Sequence, residues 1–260
     1  MLWHVDNTTL WILGSVHVSD RPLLISGQTT HALDNAEVLA FEANLEVAPN
    51  LAPARYEIET TLSKNIPAHL FDDTQRLWKE LCLNEEELEG LRPWWVAFRL
   101  TNAAMLNRGF IPEQGIDQRV LKLGKRDNKR LFFLESIDAG LSAFANAPLH
   151  EQKVFLSRAA QHTEEGLQEV ASLVAGWESG NPDNLLPIVE RALCLMPITY
   201  TAALAGRNSA WLRHLLRFIR SRKNAVAVVG MLHMVGPKNI PSVLATQGFK
   251  CSLVEGKAVR

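Results

Sequence analysis

The sequence predicts an α/β fold in which a mostly parallel central sheet is flanked by helices. Short, almost continuously apolar runs alternate with longer segments of helical periodicity, as expected for strands that are covered on both faces. The composition agrees with this class, because 47% of the 260 residues are hydrophobic and 21% are charged. That balance is typical of a globular protein with a sizeable core.

Five short segments have the apolar character of buried strands. They are LWIL (10–13), VLAF (38–41), RLFFL (130–134), AVAVV (225–229) and a weaker FKCSLV (249–254). A sixth segment, MLWHV (1–5), alternates more regularly and is predicted to pair with 9–13 across a hairpin turn at Asp6-Asn7.

The segments between these strands have helical patterns. Pro93 precedes WWVAFRLTNAAML and suits a first helical position. One apolar stripe predicts a helix over about 151–178, a second predicts a helix over 207–221, and a short helix is expected at about 116–125. We interpret residues 1–260 as a single α/β domain with helical insertions at about 51–111 and 149–223.

Bulk properties exclude several classes of protein. The formal net charge is −1, so the chain lacks the excess of basic residues that would indicate nucleic acid as a partner. The three cysteines form no CxxC pair, which argues against a cysteine-ligated zinc site and against a disulfide framework. No window of about 18 apolar residues predicts a membrane span. A cytoplasmic location is expected unless a leader peptide precedes the chain, and nothing indicates the oligomeric state.

Chemically competent side chains follow four of the predicted strands. His17, Glu42, Glu135 and His233 each stand at or just after a strand's carboxyl end. Carboxyl ends of parallel strands share one edge of the sheet, where ligands bind. Imidazole and carboxylate are a familiar ligand set for zinc, manganese, cobalt or iron. A catalytic metal site is therefore the favoured interpretation of this edge.

An internal repeat supports pairing of the two histidines. LWILGSVH and VAVVGMLH share an apolar strand, a glycine, two residues and a histidine. Gly14 and Gly230 are expected to let the backbone turn off the strand. Taken singly, either histidine is more often structural, Glu135 is a candidate helix cap, and Asp117 is a candidate first-turn acid of the helix that begins near 116.

These residues resemble the TraB/GumN family, which also includes the PrgY pheromone-shutdown proteins and the animal Tiki metalloproteases. The likeness runs over almost the whole chain. Its anchors are GSVH (14–17), FEAN with Glu42, QGID (114–117), LES (134–136), WESGN (177–181), GRN (206–208) and GMLH (230–233).

The resemblance implies a fold related to the erythromycin esterase and ChaN-like groups, and a metal-dependent hydrolase, peptidase-like in activity. It makes His17, Glu42 and His233 the candidate ligands of a divalent manganese, cobalt or zinc ion. Asp117 and Glu135 would add ligation or general-base function. The same resemblance suggests a role for Arg207 and Asn208 in binding a carbonyl or carboxylate of a peptide or small-molecule substrate.

Two other functions stay open at this stage. One is a non-catalytic regulatory protein that binds a peptide, haem or metal. The other is a metal-independent esterase of the erythromycin-esterase type, in which the same histidines and glutamates act as acid and base.

Overall fold

A six-stranded mixed sheet forms the centre of the molecule. The computed structural model describes residues 1–57 and 59–255, and residues 58 and 256–260 lie outside the described part. The strands are β1 (Leu2–Val5), β2 (Leu10–Ser15), β3 (Val38–Phe41), β4 (Arg130–Phe133), β5 (Ala225–Gly230) and β6 (Cys251–Glu255). All six coincide with a predicted strand within one or two residues.

The sheet is only partly parallel. Its strand order is β4-β3-β5-β2-β1-β6. Neighbours among β4, β3, β5 and β2 are parallel, whereas β1 is antiparallel to both β2 and β6. The predicted hairpin is confirmed, with Asn7 in the left-handed conformation (φ 59°) that such turns require. The predicted α/β class is confirmed as a mixed sheet flanked by helices.

Strand β5 is an interior strand of the sheet, and its pairing with β2 brings the two ends of the chain together. It pairs with β2 from Leu10–Ala225 to Ser15–Gly230 and with β3 on its other side. Every residue of β5 is buried. An uninterrupted apolar run is what a strand with both faces covered requires.

The described residues contain twelve α-helices, some packed on the sheet and others in a separate helical cluster. They are α1 (Gly27–Asn35), α2 (Leu62–Asn65), α3 (Ala68–Glu80), α4 (Pro93–Asn107), α5 (Ile116–Arg126), α6 (Ile137–Ala145), α7 (Leu149–Gln161), α8 (Thr163–Ser179), α9 (Leu186–Leu195), α10 (Pro197–Tyr200), α11 (Arg207–Ser221) and α12 (Ile240–Ala245). The helices predicted at Pro93, at 116–125 and at 207–221 are confirmed. Among the described residues, none of the helices has the length and apolarity needed to cross a bilayer.

The predicted single helix over 151–178 is wrong. Two helices, α7 and α8, occupy this region and meet at His162, whose backbone (φ −127°, ψ 37°) is not helical. The apolar stripe continues across the break, because α7 and α8 both pack against α4. Hydrophobic periodicity therefore gave no sign of the interruption.

The buried apolar residues form two clusters. The larger surrounds the sheet and includes residues of α5, α8, α9 and α11. The smaller holds Trp78, Leu88, Leu100 and Leu156, and it joins α2, α3, α4 and α7 on the helical side. The division of residues 1–260 into one domain with two helical insertions stays a prediction.

Candidate functional site

Four parallel strands deliver the predicted site residues to one edge of the sheet. Glu42 directly follows β3, and Glu135 lies two residues beyond β4. His17 lies two residues beyond β2, and His233 lies in the 3₁₀ turn after β5. The topology therefore brings together side chains that are far apart in sequence, as the strand-end argument predicts.

Glu42 lies at the centre of the cluster. Its Oε1 accepts a hydrogen bond from the backbone N–H of Gly230 (2.5 Å) and lies 3.7 Å from Nε2 of His233. Burial alone would raise the pKa of this carboxyl. The charge that His233 carries once it is protonated in acid, the charges of Arg207 and His17, and the Gly230 N–H outweigh burial and lower the pKa to about 2. Glu42 is therefore a carboxylate at any ordinary pH.

His233 is held in one orientation by a residue of α11. Its Nδ1 lies 2.6 Å from Oδ1 of Asn208, whose Nδ2 donates to the carbonyl of Lys238 (2.9 Å). Burial lowers the pKa of His233 to about 3, and the Glu42 carboxylate does not compensate. The imidazole is neutral, and its Nε2 faces Glu42.

His17 is held by a carboxylate from a different element. Its Nδ1 lies 3.2 Å from Oδ2 of Asp117, in the first turn of α5. Enclosure by protein lowers the pKa of His17, but Asp117 and Glu42 outweigh this effect and raise it to about 9. The side chain is 58% exposed because it lines a cavity. His17 is therefore the cationic imidazole of the pair at neutral pH.

Three glycines are required for close packing around this cluster. A Cβ on Gly230 would lie 3.1 Å from Nε2 of His17 and 3.2 Å from Oε1 of Glu42, and one on Gly115 would overlap the His17 carbonyl oxygen. Gly14 lies inside β2, where a Cβ would come within 2.9 Å of the Trp3 ring. The expectation that Gly14 forms a turn is therefore wrong. Position 14 requires glycine because there is no space for a Cβ beside Trp3, and the chain does not turn at this residue.

Arg207 links the two glutamates. Its Nη2 donates to Oε2 of Glu42 (2.5 Å), and its Nε donates to Oε1 of Glu135 (2.7 Å). Its Nη1 lies 3.4 Å from Nε2 of His233. Arg207 follows a π-helical segment, Thr201–Gly206, a rare local geometry that often occurs at functional sites.

Glu135 has both carboxylate oxygens engaged. Oε1 accepts from Arg207, and Oε2 accepts from the indole N–H of Trp211 (3.1 Å). The guanidinium of Arg207 also lies over the Trp211 ring, 4.7 Å from its centroid. The sequence analysis missed Trp211. It lies four residues after Arg207, so it shares a helical face with that residue.

A cavity of about 510 Å³ opens at this cluster, and it divides the site residues into two groups. His17, Glu42, Arg207 and His233 line the cavity. Asp117, Glu135 and Asn208 lie behind them and hold them in place. Sequence analysis also missed Ser15, which lines the cavity and whose buried Oγ has no hydrogen-bond partner in the described part of the chain.

The residues of the cluster that could hold a metal ion are His17, Glu42 and His233. Each imidazole is held through Nδ1 by a residue behind it, an outer-sphere arrangement typical of metal-binding histidines. Nε2 of His17 and Oε1 of Glu42 would lie 3.1 and 3.2 Å from a Cβ on Gly230, so both face the same point. The 3.7 Å between Nε2 of His233 and Oε1 of Glu42 compares with roughly 3.4 Å between two ligands of a tetrahedral ion. Among the described residues, however, no group of three His, Cys, Asp or Glu side chains is already arranged as a metal site. Arg207 would have to release Nε2 of His233, and His17 would have to lose its proton, because a protonated imidazole cannot bind a metal ion.

Fold and site together define a class of protein. It is an α/β protein in which two histidines, one after each of two adjacent parallel strands, face a strand-end glutamate and an arginine. The sequence model of the TraB/PrgY/gumN family matches residues 1–253, and the chain belongs to that family. Neither the curated proteins nor the solved structures contain a match to this chain.

Proposed function

We propose that this protein is a metal-dependent hydrolase that cleaves peptide or other amide bonds. The observation that carries the proposal is the position of the two imidazoles. Both are anchored at Nδ1, both line a cavity large enough for a small ligand, and Nε2 of His233 lies 3.7 Å from Oε1 of Glu42. Two histidines and one carboxylate leave coordination positions open, as a catalytic metal requires.

The residues of the chain have distinct roles in this proposal. His17, His233 and Oε1 of Glu42 would hold the ion, which supplies a Lewis acid for the scissile carbonyl and lowers the pKa of bound water. Arg207 lines the cavity and is the cation available to stabilise an oxyanion. Glu135 and Asp117 position Arg207 and His17.

Glu135 is not placed to act as the proton acceptor. Glu135 does not line the cavity, and both of its oxygens accept hydrogen bonds from Arg207 and Trp211. Glu42 would serve as a ligand rather than a base, because the ion would take its Oε1 and Arg207 holds its Oε2. A general base must lie within hydrogen-bond reach of the proton that it removes.

A second candidate is a metal-independent hydrolase. One observation favours it: Arg207 already occupies Oε2 of Glu42 and approaches Nε2 of His233. In this mechanism His17, which is protonated at neutral pH, would donate the proton to the leaving group, and Arg207 would bind the oxyanion.

Elemental analysis and chelation separate the two candidates. We expect purified protein to bind about one divalent ion, to hydrolyse members of a peptide library, and to lose that activity in chelator. His17→Ala and His233→Ala should abolish both metal binding and turnover. His31→Ala, on the exposed face of α1, is the matched control and should change neither. Full activity in chelator would reject the metal and leave the acid–base mechanism. Metal binding without any hydrolysis would indicate the non-catalytic binder.

A further inference from the structure

The cavity that begins at the candidate site is charged only at its inner end. The acidic and basic side chains that line it are His17, Glu42, Arg207 and His233. Away from these four, the walls carry neutral side chains from α4, α8, α9, α10 and the π-helical segment Thr201–Gly206. The polar ones among them are Thr101, Asn102, Thr199 and Tyr200. The apolar wall residues from α4, α8 and α9 are Met105, Val170, Leu173, Val174, Ile188 and Ala192.

A second cavity, the outer cavity, has a volume of about 270 Å³ and adjoins the first. The two share a wall to which Met105, Met196 and Leu232 contribute. Methionine side chains are unbranched and flexible, so this wall is easily displaced by a ligand. The outer cavity continues between α4, α7, α8 and α9.

The charged side chains at the outer cavity bind one another, with two arginines on one carboxylate and a net charge of +1. Oε1 of Glu169 accepts from Arg158 (2.8 Å) and from Arg191 (3.0 Å). No other charged side chain lines this cavity. A cationic ligand would therefore meet no free carboxylate at this cavity, and desolvation of any charge along the apolar walls would oppose binding.

We propose that the two cavities together bind one extended, uncharged apolar chain attached to the carbonyl group of the substrate. The carbonyl lies at the cluster of His17, Glu42, Arg207 and His233, and the chain extends past Met105 and Met196 into the outer cavity. Hydrophobic burial supplies the binding free energy, which grows with chain length. This inference rests on the proposed function for the position of the carbonyl, but the binding of the chain does not require turnover.

The test measures binding rather than catalysis. Straight-chain primary amides from four to ten carbons compete with the uncharged apolar dye N-phenyl-1-naphthylamine for the purified protein. We expect affinity to rise about fourfold for each added methylene, as burial of one CH₂ group predicts. Affinities that do not change with chain length would overturn the proposal.

Gly166 offers a variant that narrows only the outer cavity. It lines that cavity on α8, and a Cβ there would meet nothing within 4 Å, so a larger side chain has room. Replacing a glycine inside a helix also removes an unfavourable helix former. Gly166→Phe should reduce the ratio of ten-carbon to four-carbon affinity at least tenfold. Ala245→Phe, at an exposed position of α12, is the matched control and should leave the ratio unchanged. An unchanged ratio in Gly166→Phe contradicts the proposal.

Two sources of apolar chain are distinguished by a further pair of competitors. An acetylated Leu-Val-Leu-Val amide tests a peptide segment, and decanamide tests an acyl chain. Tight binding of either supports an apolar chain and identifies its source. Equal or tighter binding of an acetylated Lys-Glu-Lys-Glu amide would overturn the proposal. If chain-length dependence holds while no hydrolysis occurs, the proposed function fails and the apolar binding site stands.

Discussion

Nδ1 of His233 lies 2.6 Å from Oδ1 of Asn208, and this contact fixes the tautomer of the histidine. Asn208 donates through Nδ2 to the Lys238 carbonyl, so its Oδ1 must be an acceptor. Nδ1 of His233 therefore carries the proton, and Nε2 presents a lone pair toward Glu42. Asp117 anchors Nδ1 of His17 in the same way. Both histidines are oriented from behind by a residue that does not line the cavity.

Removal of the Asn208 anchor should impair the site without unfolding the protein. We expect Asn208→Ala to lower metal affinity or kcat/KM by about 10- to 100-fold, the usual cost of losing an outer-sphere partner of a ligating histidine. Titration calorimetry and steady-state kinetics measure the two quantities. Ser209→Ala, which removes only a bond to the Ala205 carbonyl, is the control on the same helix. Similar losses in both variants would point to a general effect on α11.

Glu135→Gln tests whether Glu135 is a base or a positioning residue. Arg207 and Trp211 both donate to this carboxylate, so an amide nitrogen would face a donor. We expect metal to be retained and kcat/KM to fall at least tenfold, because Arg207 loses a charge-assisted partner. The acidic limb of the pH–rate profile should remain where it is in the wild type. Disappearance of that limb would instead identify Glu135 as the base.

Gly230→Ala should disturb the site by its methyl group alone. The new Cβ would lie 3.1 Å from Nε2 of His17 and 3.2 Å from Oε1 of Glu42, closer than ordinary contact. We expect loss of most metal binding and turnover, with a thermal unfolding midpoint within a few degrees of the wild type. Gly27→Ala, where a Cβ meets nothing within 4 Å, is the matched control. A fully active Gly230→Ala variant would show that His17 and Glu42 do not need to converge at this point.

Glu151 stabilises the helical segment that leads to Arg207, and its contribution should depend on pH. This buried carboxylate accepts from the N–H groups of Ile198 and Thr199 (2.9 and 2.7 Å) and from the Thr199 hydroxyl (2.6 Å). Burial would raise the pKa of Glu151, but these hydrogen bonds prevail and lower it. A lowered folded-state pKa means stabilisation that is complete above the unfolded value of 4.5 and is lost as pH falls through the folded value.

Urea unfolding of Glu151→Gln at two pH values measures this contribution. We expect the variant to lose about 2 kcal/mol of unfolding free energy at pH 7, because an acceptor of charge-assisted hydrogen bonds is removed. The difference from the wild type should shrink at pH values well below 4.5. Glu190→Gln, on the exposed face of α9, is the control. A difference that is constant with pH would rule out the ionised carboxylate as its source.

The local sequence pattern was sufficient to predict the strands and the site residues that follow them along the chain. The apolar runs around Leu39 and Val228 are buried strands because both faces of the sheet are covered there, and such runs are legible without any long-range information. The parallel arrangement then placed His17, Glu42, Glu135 and His233 at one edge. The start of α4 could also be predicted locally, because Pro93 occupies its first helical position.

The sequence by itself therefore determined the α/β class, the strands and the identity of the side chains at the sheet edge. Tertiary structure alone decided which of these side chains line the cavity and which hold the others in position. Arg207 donates hydrogen bonds to two glutamates that lie 165 and 72 residues away in the sequence. Trp211 donates a hydrogen bond to Glu135, and Ser15 lines the cavity. The break at His162 and the apolar cavity between α4, α8 and α9 also depend on how the helices pack. Periodicity records which face of an element is buried, but the partner across that face is chosen by contacts between residues distant in the chain.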